Sequence, residues 1–211
     1  MKINEKVFLI DSTKGAYAYL IIGEETILID TGLPWHRKGI IKELATMNVQ
    51  LQDIKHILLT HYDIDHIGNA VVLQKITGAK LWASSEEIPY IIGAIPRPGF
   101  KKFLPYVFMK KPKNIAAYRN GEKIGGVEII PTPGHTPGHV CLLFEDILFV
   151  GDLVKNASGN LIPYPSNWNW DNLVLDASIK KISEFSYTCV CPAHGKPIER
   201  NKSGKLLNKC S

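Results

Sequence analysis

Thr60-His61-Tyr62-Asp63-Ile64-Asp65-His66 packs two histidines and two aspartates into six residues, and its reading decides the fold. It continues the apolar run at 56–60, which reads as a buried strand. It precedes residues 69–76, which carry helical spacing and close on Gly78. Residues two apart on an extended chain point the same way, so His61 and Asp63 share a side. Asp65 and His66 fall at the turn into the helix, where they can face a second point. An aspartate there also gains from the helix dipole. A polar loop whose histidines merely cap a helix would have the same composition, so the rest of the chain has to decide.

Three further segments favour metal ligation. Thr132-Pro133-Gly134-His135-Thr136-Pro137-Gly138-His139 places His135 in a rigid loop after a strand, and Gly151-Asp152 ends another strand on a carboxylate. Pro192-Ala193-His194-Gly195 puts a further histidine just past the last strand. Five of the seven histidines lie in these three segments and the first together, leaving His36 and His56 elsewhere, and strand ends are where sites gather in α/β sheets. His139 is expected to pack behind the site, and His36 to be a solvated surface residue. The chain has no G-x-S-x-G and no activated cysteine motif, so a side-chain nucleophile is not expected.

Working outward, residues 7–10, 17–22 and 26–29 read as strands, the last ending in Asp30-Thr31-Gly32. Residues 34–47 fit a helix with Ile40, Ile41, Leu44 and Met47 on one face. Residues 81–83 form a strand, and Ser85 before two glutamates opens another helix. Residues 126–130 are a strand, 139–144 and 147–150 a hairpin, 170–182 a helix and 188–191 the final strand. The loop at 155–170, with Tyr164, Trp168 and Trp170, reads as a wall of the site, with a purely structural role for its aromatics as the equal alternative. YLIIGEETILIDTG (19–32) and VCLLFEDILFVGD (140–152) share one pattern of strand, acidic turn, strand and terminal aspartate, a weak internal duplication. The class is α/β.

At 211 residues, with 45% hydrophobic and 21% charged residues, the chain suits one core or two small halves sharing one. No apolar run approaches the roughly 18 residues that span a bilayer. MKINEKVFLI reads as a first strand and not a signal peptide, so a cytoplasmic location is expected. Four cysteines without a C-x-x-C pair suggest reduced, buried thiols. The net charge of +5 is concentrated in Arg97, Lys101, Lys102, Lys110, Lys111 and Lys113, so no nucleic-acid partner is expected. Residues 96–114 mix those charges with aromatics. A core-packing or homodimer element, a lid over an apolar or anionic substrate, and a membrane-surface contact compete there, membrane contact being the least expected.

The four segments, in this order and spacing, resemble the metallo-β-lactamase fold superfamily of glyoxalase II-type thioesterases, lactonases, β-lactamases, nucleases and flavodiiron oxidoreductases. The resemblance runs from Leu28-Ile29-Asp30-Thr31-Gly32 to His194. It implies a single domain over residues 1–211, with 94–116 as an insertion. The implied fold is a four-layer αβ/βα sandwich of two pseudo-symmetric halves, with the metal site at the edge between the sheets. Carried over by position, His61, Asp63 and His135 would hold metal 1, Asp65, His66 and His194 metal 2, and Asp152 would bridge. Asp30 would orient a ligand. The implied activity is attack of a metal-bound hydroxide on an ester, lactone or thioester of a small-molecule substrate, with Asp65 as the catalytic proton shuttle. Two divalent ions are implied, zinc by default.

Asp63 departs from the pattern, since most members carry histidine there. With Asp65, Asp152 and a hydroxide it gives four negative charges, which two divalent ions cancel. The histidine version would be +1. Metal 1 is then a weaker Lewis acid and more hospitable to iron or manganese. A diiron redox protein and a β-lactamase-like amide hydrolase stay open as alternatives.

Overall fold

Short apolar strands alternating with helices build two mixed sheets, one in each of two compact units, Met1–Tyr118 and a second that starts at Arg119. The computed structural model describes residues 1–98, 111–112, 114–119 and 121–199. In the first unit β1 (Val7–Leu9), β2 (Tyr19–Ile21) and β3 (Thr26–Ile29) run antiparallel, and β4 (Ile54–Leu58), β5 (Lys80–Ala83) and β6 (Ile115–Ala117) add in parallel, in sequence order. Parallel neighbours need crossovers, supplied by α1 (Arg37–Thr46) between β3 and β4, and by α2 (Ile64–Ile67) and α3 (Ala70–Thr77) between β4 and β5. α1 buries Ile40 and Leu44, one turn apart, and α3 buries Ala70, Leu73 and Thr77. They close over Leu20, Leu28, Ile57 and Leu81 of the sheet, forming the first core.

Two expectations shift here. The helix expected over residues 34–47 begins as a 3-10 turn at Pro34–His36, with α1 following. The helix expected to open at Ser85 is the single turn α4 (Ile88–Ile91), and its start is set by Ser84, whose carbonyl accepts the N–H groups of Glu87 and Ile88.

The second unit pairs its strands in the order β14-β13-β10-β9-β8-β7. These are β7 (Lys123–Ile124), β8 (Val127–Pro131), β9 (Val140–Phe144), β10 (Ile147–Gly151), β13 (Cys189–Pro192) and β14 (Ile198–Glu199). β11 (Val154–Ala157) and β12 (Asn160–Pro163) form a separate hairpin, where the sequence reading had a loop. α5 (Asn172–Ser183) buries Leu175, Ser178 and Ile182 against a core of Ile130, Cys141, Leu148, Val150 and Val190. Its N-terminus is capped by Asp171, whose carboxylate accepts the N–H groups of Leu173 and Val174.

The duplication is visible in each unit alone. The β2–β3 hairpin is followed in the sheet by parallel β4, and the β9–β10 hairpin by parallel β13. The second hairpin strand runs into an aspartate, Asp30 or Asp152, and the parallel strand leads to a histidine, His61 or His194.

Cys141, Cys189 and Cys191 are free and buried, and burial pushes the Cys141 thiol up to about 12. No helix among the described residues is long and apolar enough to cross a membrane. Most of the basic aromatic segment, residues 99–110 and 113, lies outside the described residues, and the lid and interface readings with it.

Candidate metal centre

The first unit contributes His61, Asp63, Asp65 and His66 from the stretch that leaves β4 and turns into α2. His61 and His66 are fully buried, Asp63 nearly so, and Asp65 half-buried. Their orientation follows from one carboxylate. Asp30, at the end of β3, accepts the Thr60 N–H through Oδ1 at 2.8 Å and the Thr60 hydroxyl through Oδ2 at 2.7 Å. With its proton committed there, the Thr60 oxygen is left to accept from His61 Nδ1 at 3.0 Å. His66 Nδ1 donates to Asp30 Oδ2 at 2.8 Å. Both rings therefore carry the proton on Nδ1 and present the Nε2 lone pair, the form that binds a cation. Asp30 occupies a left-handed backbone conformation, φ 55°, where the chain breaks from β3.

α2 is held close to the loop that follows Asp30. Thr31 donates its N–H and hydroxyl to the His66 carbonyl, and Asn69 donates its side-chain amide to the carbonyls of Thr31 and Leu33 at 2.7 Å each. Only glycine fits at position 68, where a Cβ would lie 2.4 Å from the Gly32 carbonyl oxygen. His36, expected in solvent, is half-buried in this loop, and its Nδ1 accepts the Leu33 N–H at 3.1 Å.

The second unit contributes His135, Asp152 and His194, each from the loop after a strand. His135 Nδ1 meets Asn169 Oδ1 at 3.0 Å. The Asn169 amide nitrogen donates to the Tyr164 carbonyl and to Asn172, so its oxygen is the acceptor and His135 carries its proton on Nδ1. Again Nε2 carries the lone pair, turned toward Asp152. The Tyr164 ring packs edge-on against His135 and near His194, with centroids 4.6 and 5.3 Å apart. Of the aromatics flagged in 155–170, Tyr164 thus packs beside two candidate ligands, while Trp168 and Trp170 are exposed. Sequence reasoning missed Asn169; its only signal was proximity to the flagged aromatics.

His139 has its lone pair in use. Its Nε2 accepts the Asp152 N–H at 3.2 Å and its Nδ1 lies 3.0 Å from Thr132 Oγ1, so it braces the aspartate from behind. Tyr62, between His61 and Asp63, has its phenol raised far above the usual range by burial first and then by the Asp63 and Glu87 carboxylates.

The donors fit a divalent ion in chemistry and in spacing. His61 Nε2 lies 3.6 Å from Asp63 Oδ2, and His66 Nε2 lies 3.8 Å from Asp65 Oδ2. His135 Nε2 is 3.5 Å from Asp152 Oδ2, and His194 Nε2 is 3.3 Å from Asp152 Oδ1. Two ligand atoms each about 2.1 Å from a tetrahedral ion sit about 3.4 Å apart. Nitrogen and carboxylate donors at that separation suit zinc, and the carboxylate share also admits iron or manganese.

The comparisons agree with this chemistry. The metallo-beta-lactamase superfamily profile matches residues 13–194. The chain is 31% identical to the protein YobT of Bacillus subtilis, over 86% of this chain and 85% of YobT. It is 25% identical to the hydroxyacylglutathione hydrolase GloC of Haemophilus influenzae, over 75% of this chain and 78% of that one. Among solved structures it resembles MEM-A1, a subclass B3 metallo-β-lactamase from a soil metagenome library, with a TM-score of 0.73 and 24% identity over 92% of this chain and 78% of the other. The α/β class and the αβ/βα sandwich are those of this fold. The chain belongs to the metallo-β-lactamase superfamily.

Proposed function

We propose that the protein is a hydrolase holding two divalent ions, one by His61, Asp63 and His135, the other by Asp65, His66 and His194, with Asp152 shared. The observation that carries this is the set of four imidazole–carboxylate separations, 3.3–3.8 Å, each suited to two ligands of one ion. Family membership supports metal-dependent hydrolysis in general. The substrate class proposed is an ester, lactone or thioester, and the likeness to a hydroxyacylglutathione hydrolase favours an acyl compound.

Bound at these donors, two divalent ions supply Lewis acidity that brings the pKa of water down to about 7 and polarises a carbonyl oxygen. The chain's own residues do the rest. Asp30, Thr60 and Asn169 fix the tautomers of three ligand histidines, so no ring has to reorganise. Asp65 is the carboxylate open to solvent, its side chain 22% exposed against 2% for Asp152. It is therefore the group that exchanges a proton with bulk water. Tyr164, against His135 and His194, narrows the space beside them and limits solvent.

The test is a panel of esters, lactones, thioesters and β-lactams, run with protein before and after chelation. The expected result is turnover of an ester, lactone or thioester that chelator abolishes and zinc or manganese restores. Turnover that survives complete metal removal contradicts the reading. Oxygen consumption without hydrolysis would favour the diiron redox reading that the Asp63 carboxylate also suits.

A further inference from the structure

We infer that Glu87 and Arg97 are positioning residues for the metal motif, clamping the main chain of Tyr62 between the ligands His61 and Asp63. The inference rests on the metal-centre reading above and deepens it. Past Leu58 the chain leaves β4, yet it stays buried: Leu59, Thr60, His61 and Tyr62 are 0–1% exposed and Asp63 is 8% exposed. Buried peptide groups need partners wherever a sheet no longer supplies them. Leu59 N–H still finds the Trp82 carbonyl at 3.0 Å, and Thr60 N–H goes to Asp30. Tyr62 is served at both ends by charged side chains. Its N–H donates to Glu87 Oε2 at 2.7 Å, and its carbonyl accepts from Arg97 Nη2 at 2.6 Å.

Both charged residues come from one stretch, Glu87 just before α4 and Arg97 shortly after it. Both are buried, at 0% and 6% exposure. The same stretch grips the Tyr62 ring: Tyr90 of α4 lies 4.8 Å away between centroids, and the Arg97 guanidinium 5.2 Å from the ring centre. Burying a carboxylate and a guanidinium is costly, and charge-assisted hydrogen bonds are short and directional. What that cost secures is the orientation of one residue. His61 Nε2 and Asp63 Oδ2 lie 3.6 Å apart only while the chain keeps its bend at Tyr62. Arg97 also lies in the basic aromatic segment 96–114.

The experiment titrates Co(II) and Zn(II) into chelator-stripped full-length protein against a chromophoric chelator, with the Co(II) d–d spectrum recorded. Thermal unfolding of each metal-free variant is measured in parallel. Wild type is expected to take two ions. Arg97→Met and Glu87→Leu should each weaken the ion held through His61 and Asp63 by about 10–100-fold and shift its d–d bands. The other ion should stay near wild type. Arg97→Lys keeps a donor and Glu87→Gln keeps an acceptor, so both should restore most of the affinity. A single change leaves one buried charge behind and can unfold the chain. The double variant Glu87→Leu/Arg97→Met leaves neither, and it should show the same selective loss.

Wild-type affinity and spectrum in the double variant would overturn the clamp while leaving the metal centre intact. So would losses in the Lys and Gln variants as large as those in the Met and Leu variants, scaling only with the unfolding temperature. Absence of metal binding by wild type would instead remove the metal centre, and the clamp's role with it.

Discussion

At the scale of single residues, proton placement is what suits these side chains to metal ligation. His61, His66 and His135 each have Nδ1 tied to a neighbour, leaving Nε2 aimed at a carboxylate. Asn169→Ala removes the His135 partner without touching a ligand. It should cost about 10–100-fold in metal affinity by chelator competition, with the fold retained in circular dichroism. Asp152→Asn should be harsher, because an amide bridges two cations poorly. The expected loss is one ion per chain and more than about 100-fold in hydrolysis, measured by elemental analysis and turnover. Asp63→His raises the charge of the loaded cluster by one. It should shift metal preference toward zinc, and the pH–rate profile toward lower pH, since a more positive pair deprotonates water more readily. Metal ratios and pH profiles of the two proteins prepared in parallel test this; an unchanged ratio and profile would place Asp63 outside the ligand set. These residues were legible as candidate ligands because histidine and carboxylate side chains crowded at strand ends are typical metal donors. Asn169 was not, since an asparagine 34 residues from its partner resembles any other loop amide.

At the scale of elements, strands with strong apolar alternation were read correctly and weakly patterned ones were not. Val154–Ala157 and Asn160–Pro163 carry little alternation, so the β11–β12 hairpin passed as loop. The available signal was Ser158-Gly159, both at positive φ, the backbone of a tight two-residue turn. β6 (Ile115–Ala117) escaped for the same reason, being three residues long and flanked by residues without strand character. The close approach of α2 to the 30–34 loop is testable by Gly68→Ala. A methyl would sit 2.4 Å from the Gly32 oxygen and 2.6 Å from the Pro34 nitrogen, both backbone atoms that cannot step aside. The expected cost is about 3 kcal/mol in chemical denaturation, with weaker metal binding because Asp65 and His66 ride on α2. Asp171→Ala removes the α5 cap and should cost only about 1 kcal/mol, leaving metal binding unchanged.

At the scale of the whole molecule, each sheet repeats one scheme, an antiparallel hairpin ending on an aspartate beside a parallel strand leading to a histidine. That repeat was visible in the sequence as two acidic-turn hairpins. The α/β class followed instead from strand and helix signals that alternate along the chain, and the sandwich from the resemblance carried by the motif order. Buried donors of this kind have no preformed counterpart in the unfolded chain, so metal bound at them would be coupled to folding. Adding zinc to stripped protein should therefore raise the unfolding temperature in a concentration-dependent way. The most direct measurement is the metal content of protein purified without added metal or chelator, for wild type and Asp152→Asn. The account predicts about two ions per chain in wild type and about one in the variant. A single well-occupied ion in wild type, unchanged by the substitution, would contradict it.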